Sequence, residues 1–120
     1  MSVDVLNPVN VEQRIRDISA RIANSASVCN DRYVAFLTAD RNYDQAFAGA
    51  YMKHTGAAHE KKYQAELDTV VERELRDVAD AAYKYADRLA KALESELRAY
   101  QSIGASVRAM FGVTGRGEGS

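Results

Sequence analysis

Between Thr69 and Met110, apolar residues recur at Val71, Leu75, Val78, Ala82, Tyr85, Leu89, Leu93, Leu97, Tyr100, Ile103 and Val107, in steps of three and four. That spacing gathers them on one side of an α-helix. Neither proline nor glycine intervenes before Gly104. The pattern predicts one helix over 69–111, about 60 Å long at a rise of about 1.5 Å per residue. Such a rod cannot fold inside a small globule. Its stripe has to lie against another helix of the chain, against copies of itself, or both.

A second pattern precedes it. Val11, Ile15, Ile18 and Ile22 line one helical face, with Glu12, Arg14, Arg16, Asp17 and Arg21 on the others. Asn10 followed by Gln13 reads as a capping box that opens this helix. Asn24, Ser25, Ala26 and Ser27 compete with helical hydrogen bonding and predict a break or bend. A second helix is then expected from Val28 to near His54, with Cys29, Tyr33, Phe36, Tyr43, Phe47 and Ala50 at heptad-like spacing. Asp40 falls on the same stripe. Either it fixes register as a buried polar group, or the helix rotates and Leu37 faces inward. Rotation is favoured because it desolvates no charge.

Thr55 and Gly56 mark the end of that helix, glycine being able to adopt the left-handed closing conformation. Ala57 to Asp68 is helix-friendly but poorly patterned, so it either continues the second helix or forms a connecting turn. Thr69 with Glu72 is a further capping box and places the start of the long helix. The organisation expected is one all-α domain: an elongated helical hairpin or three-helix arrangement with a long C-terminal coiled-coil helix. Its parts are a mobile arm at 1–9, helices one and two within 10–56, a basic connector at 57–68, the long helix at 69–111 and a flexible glycine-rich tail at 112–120.

Composition narrows the chemistry. Acidic and basic residues number 17 and 16 in a chain of 120, so net charge gives no general attraction to nucleic acid or anionic membranes. Cys29 is the single cysteine, which excludes an internal disulfide framework and a thiolate zinc site. Met1 to Pro8 lacks the basic and apolar regions of a secretion signal, and no apolar run approaches membrane-spanning length. The expectation is a soluble cytoplasmic protein.

Catalysis finds no constellation to rest on. His54 and His59 are five residues apart, on different sides of a helix, and lack metalloprotease spacing. No nucleophile is placed beside a base, and the glycine-rich end follows no strand. The chain reads as a non-enzyme, with no metal and no cofactor. Most of the seven tyrosines fall on the apolar faces, where the ring fills space. Tyr63 differs, because it follows Lys61 and Lys62 and, with Lys53, His54 and His59, belongs to the one locally basic segment. Cations beside a stacking ring are what sequence-independent single-strand binding requires. Arg98 and Arg108 near the carboxyl end form a second cationic candidate, although cations there also offset the helix dipole.

The stretches Thr69-Val-Val-Glu72-Arg73-Glu74, Ala92-Leu93-Glu94, Tyr100-Gln101-Ser102 and Val107-Arg108 resemble the small helical recombination-accessory proteins of tailed bacteriophages, among them recombination mediators. Over the first half of the chain the likeness is one of topology alone. The resemblance implies a homo-oligomeric ring assembled through the C-terminal helix, with Leu89, Leu93, Leu97, Tyr100, Ile103 and Val107 as its seam. It also implies single-stranded DNA binding by the segment with Lys61, Lys62 and Tyr63, and partnership with a recombinase and a single-strand binding protein during recombinase loading. Those mediators are more basic in the centre, where this chain has Gln64, Ala65, Glu66 and Asp68. Repetition of a weak cationic patch around a ring would offset that through effective concentration.

Two other readings compete. One is a non-catalytic structural or adaptor protein of a phage, assembling through its helices. The other is an exported helical hairpin, for which Tyr83 and Asp87 supply tyrosine-acidic spacing but the chain has no tryptophan-glycine turn.

Overall fold

In a computed structural model of the chain, residues 7–119 are described, with side chains described over 7–112. The chain is all-α. Helix α1 spans Pro8–Lys53, α2 spans Ala58–Asp68 and α3 spans Val70–Gly119. No described residue is in a strand, and no helix is long and apolar enough to cross a membrane among the described residues.

Helix α1 is capped by Asn7, whose Oδ1 accepts a hydrogen bond from Asn10 N at 2.9 Å, with Pro8 at the first helical position. This corrects the expected start at Asn10. Gln13, assigned to the capping box, instead donates to Asp17 Oδ1. Of the arm expected at 1–9, Met1 to Leu6 lie outside the described residues.

The break expected at Asn24 to Ser27 does not occur, and α1 runs unbroken for 46 residues. Ser25 Oγ donates to Ile22 O at 2.8 Å, so its hydroxyl is satisfied inside the helix. Half-buried or buried positions recur at Val11, Ile15, Ile18, Ile22, Ser25, Cys29, Arg32, Phe36, Ala39, Tyr43, Ala46 and Ala50. This is an uninterrupted alternation of four and three, and packing on one face outweighs the local preference of the serines.

Two compact units divide the chain, and both long helices contribute to each. The first comprises Met1–Ala26 and Arg88–Ser120. Here α1 and α3 run antiparallel, since Arg14 lies over the Tyr100 ring at 5.9 Å while Val11 approaches Gly104. Val11, Ile18, Leu93 and Val107 are buried at 2–6% exposure. A β-carbon on Gly104 would stand 3.2 Å from Val11 Cγ1, so glycine permits the close approach.

The second unit is Ser27–Asp87. Arg32 donates to the Ala82 carbonyl at 3.2 Å, the rings of Tyr33 and Tyr83 lie 5.1 Å apart, and Arg76 stands over Tyr43 at 4.5 Å. These contacts again make α1 and α3 antiparallel. The rotation expected around Asp40 is corrected here. Leu37 is exposed, and Asp40 is half-buried and lies 4.0 Å from Arg76 Nη1. An arginine on the facing helix gives the carboxylate a partner at the rim, so no rotation is needed.

The connector at 57–68 is the helix α2, with Ala65 fully buried. Thr69 stands at the start of α3, as expected, but its side chain forms no capping box with Glu72. Thr69 is the C-cap of α2, buried at 3% exposure, and its Oγ1 donates to Ala65 O at 2.7 Å. Arg73 N bonds to the Thr69 carbonyl, so α3 starts at once. Glu72, the other half of the expected box, has Oε2 enclosed without a hydrogen-bond partner. At the far end the bounds of α3 reach Gly119, over the stretch where glycine content pointed to a tail; the side chains of 113–120 lie outside the described residues.

Candidate functional site

Two features of the second unit could engage a partner. The first is at its turn. Helix α1 ends at Lys53, Gly56 takes φ +115°, a conformation that glycine tolerates, and α2 begins at Ala58. His54 Nε2 and Asp68 Oδ2 are 2.6 Å apart, which ties the turn to the end of α2. Beside the turn opens a groove of about 610 Å³ lined by Lys53, His54, Thr55, Glu60, Tyr63 and Gln64.

Of the expected nucleic-acid contacts, this groove brings together Lys53 and Tyr63, whose ring is 61% exposed. Lys62 is exposed on α2. Lys61 is turned away, with its ammonium 4.4 Å from the centre of the Tyr51 ring. Glu60 enters the groove, so the lining is mixed in charge rather than basic. Arg98 and Arg108 belong to the other unit, where Arg98 donates to Ser95 Oγ at 3.2 Å and Arg108 is exposed. No group of three or more His, Cys, Asp or Glu side chains gathers among the described residues.

The expected assembly seam lies elsewhere than at a free surface. Leu93 and Val107 are buried within the chain, and Leu97, Tyr100 and Ile103 are half-buried. Only Leu89, at 42% exposure, is open. The face assigned to sister subunits is therefore largely covered by the chain's own α1, beside Val11 and Ile15.

The second feature follows from this. In the second unit α3 turns a different row toward α1, namely Glu72, Arg76, Ala79, Tyr83 and Ala86. The apolar row beside it stays outside. Val71 is 64% exposed, Leu75 59%, Val78 68% and Tyr85 59%. The cause is in the spacing. From Val71 to Tyr85 the steps alternate four and three, which keeps a row on one seam, but Tyr85, Leu89, Leu93 and Leu97 follow in three successive steps of four. Consecutive steps of four shift an apolar row around the helix, as a stutter does in a coiled coil. The same list of apolar residues thus starts on the open side of α3 and ends on the covered side. The spacing marks that change of side, but it does not contain which part of the row α1 covers.

No family model matches the chain, and no curated protein or solved structure compared with it does so either.

Proposed function

We propose that the protein is a non-catalytic helical adaptor or structural component that docks through the open row on α3. The supporting observation is the heptad-spaced arrangement of the exposed Val71, Leu75, Val78 and Tyr85, with the half-buried Ala82 between the last two. Apolar side chains exposed singly are ordinary, whereas a contiguous row at coiled-coil spacing is the shape that another helix fills. The phage setting comes from the resemblance to recombination-accessory proteins. The double variant Leu75→Lys with Val78→Lys should keep its helical circular dichroism and lose less than about 1 kcal/mol of stability, as surface positions do. A loss of core size would place the stripe in the fold and remove the reading.

A second reading is an oligomeric accessory of recombination that binds single-stranded DNA and helps load a recombinase. It is favoured by Lys53 and Tyr63 meeting at the groove with Lys62 nearby. Affinity for a labelled oligonucleotide should fall steeply with salt and drop in Lys62→Ala and Tyr63→Ala, because phosphate contacts release counterions and the ring stacks on bases. Absence of binding at low salt would end it.

A further inference from the structure

The open stripe on α3 also carries information about what covers it, resting on the docking reading above. Val71, Leu75, Val78, Ala82 and Tyr85 occupy alternating a- and d-type positions of a heptad. One flank of this row is α1, on the side of Glu72, Ala79 and Ala86. The other flank carries charge in a fixed order along the helix. Glu74 and Asp77 come first, then the small exposed Ala81, then Lys84. Acidic residues thus precede a basic one on either side of an uncharged midpoint.

A second copy laid parallel would set acid beside acid and base beside base. Laid antiparallel about Ala81, it sets Asp77 toward the copy's Lys84, on both sides of a two-fold axis. The apolar row pairs about the neighbouring residue Asp80, with Leu75 facing the copy's Tyr85 and Val78 facing the copy's Ala82. The small Ala82 leaves room for a β-branched neighbour, and the larger Tyr85 is matched to leucine. We infer that the occupant of the stripe is a second copy of this chain, joined in an antiparallel, two-fold α3 to α3 contact centred near Ala81. Such a contact is isologous and closes on itself, giving a dimer rather than a ring.

The register makes the test specific. In a Cys29→Ser background, Ala81→Cys places one thiol beside its own copy at the axis and should form a disulfide-linked dimer under mild oxidation. Val71→Cys should not, because antiparallel pairing separates the two copies of that residue by about 27 Å along the axis at about 1.5 Å rise per residue. Light scattering on the wild type should give twice the chain mass of 13.2 kDa. The Leu75→Lys, Val78→Lys variant should give the single-chain mass with its helical content kept.

Cross-linking through Val71→Cys would show parallel pairing and overturn the inference. So would a doubled mass with no cross-link through Ala81→Cys, which would put the dimer on another face. A wild-type monomer at micromolar concentration overturns the second copy but leaves docking to a different helix standing. Unfolding of the lysine variant strikes the docking reading itself.

Discussion

The guanidinium of Arg76 stands over the ring of Tyr43, 4.5 Å from its centre, and the same arginine lies 4.0 Å from Asp40 and 3.2 Å from Asp77. Arginine and tyrosine here occupy seam positions that a leucine pair would fill in a conventional coiled coil. The aliphatic stem and the ring supply the packing, and the charge reaches the rim. The more apolar neighbouring row faces outward beside this polar seam.

A double-mutant cycle of Arg76→Met and Tyr43→Leu should give a coupling of about 0.5–1 kcal/mol, the range for a partly exposed cation over a ring. Denaturant titration of the four variants measures it. The Asp40 contact should add at most about 1 kcal/mol, since both side chains are partly open to solvent. A coupling of zero would mean that the ring contact contributes packing alone.

Leu93 and Met52 bracket the range of burial, at 4% and 78% exposure. Leu93→Ala should destabilise by about 2–5 kcal/mol through lost burial and a cavity. Met52→Ala should stay within about 0.5 kcal/mol of the wild type. Chemical denaturation of both tests whether the covered seam of the first unit forms within a single chain.

Three glycines should answer differently to substitution. At Gly49 nothing lies within 4 Å of an added β-carbon, so Gly49→Ala should stabilise α1 by about 0.5–1 kcal/mol. At Gly104 the added carbon already meets Val11 Cγ1 at 3.2 Å, and Gly104→Val should cost about 1–3 kcal/mol by overpacking. Gly56 has φ +115°, so Gly56→Ala should cost about 1–2 kcal/mol as backbone strain at the turn. Thermal melts of the three variants should therefore move up, down and down.

The His54 to Asp68 contact, at 2.6 Å with both side chains partly exposed, pins the turn that forms one wall of the groove. Asp68→Ala should lower global stability by no more than about 1 kcal/mol. Faster amide exchange confined to 54–58 would show that the pair holds the turn locally, and unchanged exchange there would assign the turn geometry to Gly56 alone.

Much of the architecture was legible in the order of residues. Helix type, the turn at Gly56 and the long C-terminal helix follow from period and glycine placement, which act over a few residues and depend little on what lies opposite. Local preference misled where it met a continuous packing face, as at Ser25, whose hydroxyl simply bonds to Ile22 O within an unbroken helix. At Thr69 it placed the start of α3 but not the side-chain role, because the buried hydroxyl bonds back to Ala65 O in α2.

Which apolar residues are covered was decided only by the tertiary structure. Val71, Leu75 and Val78 are as apolar as Leu93 and Val107, yet the first three are open and the last two are buried. Sequence periodicity fixes which side chains share a side of a helix but leaves its rotation free. That rotation was set by the partner, because Val11 can approach Gly104 in one unit and Tyr43 can carry Arg76 in the other, and no list of spacings within α3 contains those contacts.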